Sequence, residues 1–172
     1  MRRMDATTTP PETRDHALQL RREAYAMALY VAICLLAVLT ATVHHDSPPS
    51  QGEVFRIVWG TTLGLALAHW FAFRLSSRLV REGRMHRHDI DAGVAQFAGA
   101  GVVAVLLTVP VLLLPTSSEM AVCRLLLAGF IGVIGYSVAR SSGAGRGKSL
   151  LYGIAELLVA AGVALAKNIL SH

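Results

Sequence analysis

The sequence predicts an all-α protein, a polytopic bundle of transmembrane helices. Hydrophobic residues make up 53% of the 172 positions and the mean hydropathy is +0.51, well above what a soluble domain needs to fill its core. The apolar residues are gathered into five blocks, each close to the ~20 residues that cross a bilayer core. None of the blocks alternates between polar and apolar residues, as the strands of a membrane barrel would.

The five blocks predict five transmembrane helices. They lie at about 23–43, 54–75, 92–114, 121–140 and 149–170. Residues 1–22 contain the polar, proline-broken segment TTTPPETRDH and are predicted as a cytoplasmic N-terminal tail, whose last part could extend the first helix. Residues 23–172 form the membrane domain, and the connections between the blocks are too short to hold a soluble catalytic domain.

The distribution of basic residues predicts the orientation. Of the 16 Lys and Arg residues, 13 lie before the first helix or in the regions where the second helix leads to the third and the fourth to the fifth, helix ends included. The other side carries Arg56, Arg124 and Lys167. Because basic residues are retained in the cytoplasm, we expect a multi-pass inner (plasma) membrane protein with a cytoplasmic N terminus and an external C terminus.

The same bias predicts partners. A basic cytoplasmic face favours the anionic headgroups of the lipid bilayer. Nucleic-acid binding is not predicted, because neither interleaved aromatic residues nor a recognisable fold accompanies the charge.

Small residues recur where helices would approach closely. The segment GTTLG places Gly60 and Gly64 four residues apart, AGAG spans 98–101, and three more glycines fall in the fourth predicted helix. Such spacing allows close helix packing. We expect packing within one subunit, and association into a homo-oligomer is the alternative use. Cys34 and Cys123 lie at different depths, so no disulfide is predicted.

Two ionisable residues fall at one depth inside the predicted helices. His69 lies in LALAHWFAFRLSSR of the second helix and Glu156 lies in the fifth. At ~1.5 Å per residue, each is about 5 to 7 Å on the cytoplasmic side of its helix midpoint. A hydrogen bond or ion pair between them is therefore predicted. Gln96 and Tyr136 fall at the same level and complete a predicted polar cluster.

Two interpretations of this cluster stay open. His69 and Glu156 could join two helices structurally, since interhelical hydrogen bonds are common in membranes. They could also relay protons or bind a cation, because His and Glu are the groups that do so within bilayers. In the second hypothesis Glu156 is the acceptor, His69 its titrating partner, and Arg74 a gate or lipid anchor.

The functional prediction is a small channel or transporter for protons or cations. The alternative is a non-transporting scaffold or accessory subunit that binds a partner membrane protein or a lipid. Trp70 is expected at the membrane interface or against a neighbouring helix. Arg124 is expected to extend to the outer interface, within reach of Glu119 or Glu53, and Lys167 to lie at a lipid interface.

No catalytic motif is present. GxxxxGK[ST] is not met in SSGAGRGKS, because Ser142 stands where the first glycine would be. MHRHDID (85–91) and HHD (44–46) contain possible metal ligands, but an aspartate cap of the third helix accounts better for the first. We therefore expect no enzyme activity, no cofactor and no metal site.

Three segments form a set that resembles a known group of proteins: LALAHWFAFRLSSRL, YSVAR and ALAKNILSH. Together they are similar to small, uncharacterised integral membrane proteins common in actinobacteria. The resemblance covers most of the membrane region. It implies His69, Arg140 and Lys167 as positions of the family pattern, with no activity to transfer.

Overall fold

The structure is a computed structural model that describes residues 11–42, 49–80 and 87–170. Within these residues all regular structure is helical, which confirms the all-α class. The five helices are α1 (Pro11–Ala41), α2 (Gln51–Val80), α3 (Arg87–Leu113), α4 (Thr116–Ser141) and α5 (Arg146–Leu170). Helix α1 begins earlier than predicted, so residues 11–22 of the expected tail are helical. Proline is well suited to this first helical position, which needs no N–H donor.

Four of the helices are long and apolar enough to cross a membrane. Among the described residues they are Asp15–Ala41, Gln51–Ser76, Ile90–Leu113 and Ser118–Ser141. Large apolar side chains also cover the outside of the bundle, and Phe71, Leu113 and Leu125 are each at least 66% exposed. A water-soluble monomer rarely exposes so much apolar surface. The outside of this bundle is suited to hydrocarbon.

Helix α1 is the centre of the bundle. It packs against all four other helices, whereas α2 packs against α1 and α3, and α5 packs against α4 and α1. Helices α2 and α5 therefore lie on different sides of α1. The core consists of branched aliphatic side chains that are fully buried, among them Val31, Leu35, Leu39, Val103, Leu107, Leu127 and Ile131.

The helices run alternately up and down, which gives the bundle two distinct ends. One end, where α1, α3 and α5 begin and α2 and α4 end, is called here the basic end. It carries Arg21, Arg22, Arg74, Arg140, Arg146 and Lys148. The other, called the opposite end, contains the two-residue connection Leu114–Pro115 between α3 and α4.

Local sequence accounts for two helix boundaries. Ser50 and Glu53 form a capping box at the start of α2: Ser50 N donates to Glu53 Oε2 at 2.7 Å and Glu53 N donates to Ser50 Oγ at 3.4 Å. At the end of α4, Gly143 has φ +80°. Ala144 N then donates to Ala139 O at 3.2 Å, the Schellman arrangement that ends a helix.

Candidate functional site

A polar hollow opens among α1, α2 and α3 near the basic end. Its volume is about 450 Å³ and it is lined by Glu23, Ala26, Met27, Tyr30, His69 and Gln96. We call it the Glu23 hollow. Gln96 Nε2 donates a hydrogen bond of 2.8 Å to Glu23 Oε2. Gln96 is buried and Glu23 is half-buried, so a carboxyl group that is partly removed from water is oriented by an amide.

The position of this pair depends on a close approach of α1 and α3. A Cβ added at Gly99 would lie 2.1 Å from the carbonyl oxygen of Ala24. Only glycine permits this backbone contact. Because Ala24 follows Glu23, and Gly99 lies one turn after Gln96, the contact brings the carboxyl and amide groups within hydrogen-bond distance.

His69 lines the same hollow from α2. Its side chain is exposed, and within the described part of the chain it accepts or donates no hydrogen bond. The imidazole is thus available to a proton or to a ligand that enters the hollow.

Trp70 packs against α3 rather than facing away from the bundle. Its ring lies edge-on to Phe97, with centroids 6.4 Å apart. The indole also covers Gly93, where an added Cβ would come within 3.3 Å of it. On the indole face, Arg74 places its guanidinium carbon 5.6 Å from the ring centroid, a cation–π contact. Of the two predicted positions of Trp70, the structure has the one against a neighbouring helix.

A second hollow, of about 540 Å³, opens among α1, α4 and α5 at the basic end. Glu156 lies in it with Tyr152 and Lys148 of α5, and Leu29 of α1 forms part of the wall. We call it the Glu156 hollow. Glu156 is half-buried, and its Cγ packs close to Gly135, where a Cβ would lie 2.9 Å away.

The predicted pair of His69 and Glu156 is not formed. The two side chains line different hollows and share no hydrogen bond or ion pair. Equal depth in the membrane was the basis of the prediction, but depth does not determine position around the bundle. Because α1 separates α2 from α5, the two residues face different spaces.

The rest of the predicted cluster is divided in the same way. Gln96 shares a hollow with His69, as expected. Tyr136 lines neither hollow and lies instead at the α4–α5 contact, where a Cβ on Gly153 would be 3.5 Å from its backbone nitrogen. The backbones of α4 and α5 lie close together here, since a Cβ on Gly153 would also lie 2.9 Å from Gly132 O.

Sequence reasoning missed Glu23. This residue follows Arg21 and Arg22 and lies at the boundary of the first apolar block, where it resembles part of a charged tail. One signal could have indicated that Glu23 lies inside the first helix. Glu23 directly precedes an apolar run of more than 15 residues, and the helix also continues on its N-terminal side.

At the opposite end, Arg124 does not pair with Glu119 or Glu53. Its Nε donates to the backbone oxygen of Met120 at 3.2 Å, within its own helix. Glu53 is engaged with Ser50 instead. Lys167 lies near the end of α5, and its side chain is outside the described residues, so its predicted contact with lipid stays a prediction.

The described residues contain no group of three side chains able to hold a metal ion. Segment 44–46 lies outside the described residues, as do the side chains of His86, His88 and Asp89. Asp91 is exposed and its Oδ2 lies 3.5 Å from Nε2 of His16 in α1.

Between the two ends the interior is apolar. Among the described residues, Val31, Leu35, Val103 and Leu127 are all at 0% exposure, and the hydroxyl of the buried Thr62 bonds within its own helix. No family model, no curated protein and no solved structure matches this chain. Fold and surface place it among α-helical membrane proteins, with a carboxyl–amide–imidazole site in the Glu23 hollow.

Proposed function

We propose that the chain is a five-span protein of the inner (plasma) membrane with a cytoplasmic N terminus. Helix α5 supports a fifth span, because Glu156 is the one charged residue between Ser149 and Ala166. The concentration of Arg and Lys at the basic end supports the orientation.

Within this membrane setting, we propose a small transporter that binds protons or a small cation in the Glu23 hollow. The observation that carries the proposal is the hydrogen bond from Gln96 to Glu23 beside His69, in a space that opens at the basic end. Ionisable groups inside membrane helices are expensive to keep, and in transporters they mark ion pathways.

Each side chain has a distinct role in this proposal. Glu23 supplies the negative charge, and its Oε1, which accepts no hydrogen bond from the described residues, is open to a proton or cation. Gln96 orients the carboxyl group and presents an amide oxygen. His69 exchanges protons with water in the hollow. Arg74, held over Trp70, is the gate or lipid anchor of this proposal.

The apolar interior supports a carrier rather than a channel. A preformed channel needs a wet path from end to end, and the buried aliphatic side chains of the described residues do not line one. Transport therefore requires a rearrangement that exposes the hollow to each side in turn. We expect rates typical of carriers rather than of open channels.

Proton flux into vesicles tests this proposal. Purified protein is reconstituted in vesicles of phosphatidylethanolamine and phosphatidylglycerol with a pH-sensitive dye inside, and a pH gradient is imposed with and without K⁺ or Na⁺. We expect Glu23→Gln and His69→Ala each to reduce the initial rate of proton flux by about tenfold. This corresponds to an increase of ~1.4 kcal/mol in the free-energy barrier to transport.

Glu156→Gln is the matched control, because it removes a half-buried carboxylate from the other hollow. It is expected to leave the rate unchanged. Flux no faster than through empty vesicles in the wild type would reject transport. Wild-type flux in both Glu23→Gln and His69→Ala, or loss only in Glu156→Gln, would reject the Glu23 hollow as the site.

A scaffold or accessory subunit is the second candidate function, and the outer face of α2 favours it. Added Cβ atoms at Gly60 and Gly64 would meet no atom within 4 Å. Leu63, Leu67 and Phe71 are exposed beside them. The Gly60–Gly64 pattern, which permits close helix approach, is thus unused within the subunit.

The homo-oligomer proposal rests on the same face, and a partner protein could use it too. Disulfide cross-linking of Leu63→Cys in a Cys34→Ser, Cys123→Ser background tests for a second copy, with Leu125→Cys on α4, which is the more exposed of the two positions, as the control. Dimers from position 63 alone would support the proposal, and equal dimer yields would contradict it. Binding of anionic lipid is supported by the exposed Arg140, Arg146 and Lys148.

A further inference from the structure

Glu119 is a fully buried carboxyl group that has no hydrogen-bond partner among the described residues. Its side chain is at 0% exposure, and no described residue bonds to Oε1 or Oε2. It lies in the first turn of α4, at the opposite end from the Glu23 hollow. Buried polar atoms in proteins are nearly always hydrogen-bonded, so this group requires a physical explanation.

Its surroundings on α4 offer no compensating charge. Met120 and Cys123 are buried members of the apolar core. Arg124, five residues further along, directs its Nε to the backbone oxygen of Met120. The described side chains next to Glu119 on its own helix therefore supply no positive charge to it.

The described side chains of the helices packed against α4 add no compensating charge either. These are α1, α3 and α5, and at this end the described residues 35–42 of α1 and 104–113 of α3 carry no titratable side chain. On α5 the charged residue at this level is Lys167, whose side chain is outside the described residues. On α2, Glu53 and Arg56 are exposed and bonded to Ser50 and Gly52.

The ionised form of Glu119 is unfavourable in this position. A helix N terminus attracts an anion, but this attraction is several-fold smaller than the penalty for taking an unpaired carboxylate out of water. The neutral acid avoids that penalty. We propose that Glu119 is a proton-binding site, separate from the Glu23 hollow, that holds its proton while the opposite end is closed and releases it when that end opens to water.

The release step couples pH to the opening of the bundle. The O–H bond of the acid breaks, the proton passes to water, and the carboxylate stays hydrated in the opened state. Because opening then releases one proton, the open fraction increases about tenfold for each unit of pH. The site does not depend on transport through the Glu23 hollow.

Infrared difference spectroscopy tests the protonation directly. Spectra of the full-length protein in lipid vesicles at neutral pH are compared between wild type and Glu119→Gln, which keeps the volume and remains neutral. We expect a carbonyl-stretch band of a protonated carboxylic acid in the wild type and its loss in Glu119→Gln. Glu119→Met, neutral and apolar, is expected to fold and to lack the band. Absence of the band from the wild type would overturn the proposal.

Cys123, one turn from Glu119 and fully buried, reports the opening. In a Cys34→Ser background, the rate of its modification by a water-soluble maleimide is measured over the pH range 6 to 9 and divided by the rate for free cysteine. This ratio is expected to increase about tenfold per pH unit with Glu119 present and to stay flat in Glu119→Gln. An equal dependence of this ratio on pH in wild type and Glu119→Gln would overturn the coupling between the proton of Glu119 and the opening.

Lys167→Met distinguishes the proton from an ion pair. If Glu119 were an anion paired with Lys167, the acid band would be absent from the wild type and would emerge in Lys167→Met. That result would refute the proposal. An acid band of equal intensity in wild type and Lys167→Met supports it.

Discussion

Replacing Gly99 by alanine would force α1 and α3 apart beside the Glu23 hollow. The added Cβ would lie 2.1 Å from Ala24 O and 2.9 Å from its carbonyl carbon, whereas ordinary contact begins at 3.4 Å. Both atoms belong to the backbone, so no change of rotamer relieves the overlap. The two helices would have to move apart by up to 1.3 Å at this point, which is the difference between the 2.1 Å approach and ordinary contact at 3.4 Å.

The size of the effect is best judged against a glycine on the same helix. Gly101 has no atom within 4 Å of its Cβ position, so Gly101→Ala keeps the gain in helix propensity without an overlap. Overpacking of a well-packed interior costs about 1–3 kcal/mol. We expect Gly99→Ala to be less stable than Gly101→Ala by about that amount. It should also lengthen the 2.8 Å hydrogen bond from Gln96 to Glu23.

Unfolding in mixed micelles measures this difference. Protein in a mild detergent is titrated with dodecyl sulfate, and tryptophan fluorescence and circular dichroism follow the reversible transition. A lower midpoint for Gly99→Ala, with Gly101→Ala at or above the wild-type midpoint, is the expected order. Equal midpoints for the two variants would refute the close approach of α1 and α3.

Two further predictions concern other contacts. Trp59 Nε1 donates to Thr108 Oγ1 at 3.0 Å, so Trp59→Phe and Thr108→Val should each lower the unfolding free energy by about 0.5–1.5 kcal/mol from the lost hydrogen bond. A double-mutant cycle with no coupling between these positions would contradict the contact. Gly135→Ala should also lower the unfolding midpoint, because the added Cβ would lie 2.9 Å from Glu156 Cγ on α5. Gly129→Ala is the control and should not lower it, because no atom lies within 4 Å of that position. An equal decrease of the midpoint in both variants would contradict the contact between α4 and α5.

Much of the helical framework could be predicted from the sequence. Apolar blocks of about 20 residues leave little choice of structure in a bilayer, because backbone groups there must bond within their own segment. The role of small residues was also predictable at Gly99 and Gly135, which both lie at close helix contacts. The same pattern at Gly60 and Gly64 has no neighbour, since spacing alone does not say which helix arrives opposite.

The arrangement of helices around α1 was not predictable from the same information. Hydropathy gives the depth of a residue, and depth placed His69 and Glu156 at one level. Their separation follows from which helices pack together, a property of pairs of surfaces rather than of any one segment. Gln96 was predicted beside His69 and lies there, whereas Glu23 supplies the carboxyl group that was assigned to Glu156.

The helix boundary explains why Glu23 was overlooked. Charge next to an apolar block resembles a tail that ends the membrane segment, but α1 continues for 31 residues and is about 46 Å long at ~1.5 Å per residue. This exceeds the ~30 Å hydrocarbon core. A helix of this length can carry charged residues on its first turns and still bring Glu23 against α3.

The central position of α1 has a consequence for assembly. α1 precedes its four neighbours in the chain, so it is synthesised and inserted before any helix that will surround it. Its residues Met27, Val31, Ala32 and Leu36 are destined for burial, yet they face lipid until α3, α4 and α5 arrive. The bundle is therefore completed by later helices that gather around the earliest one. A chain stopped before α4 would expose one whole side of α1, which a second protein could then occupy.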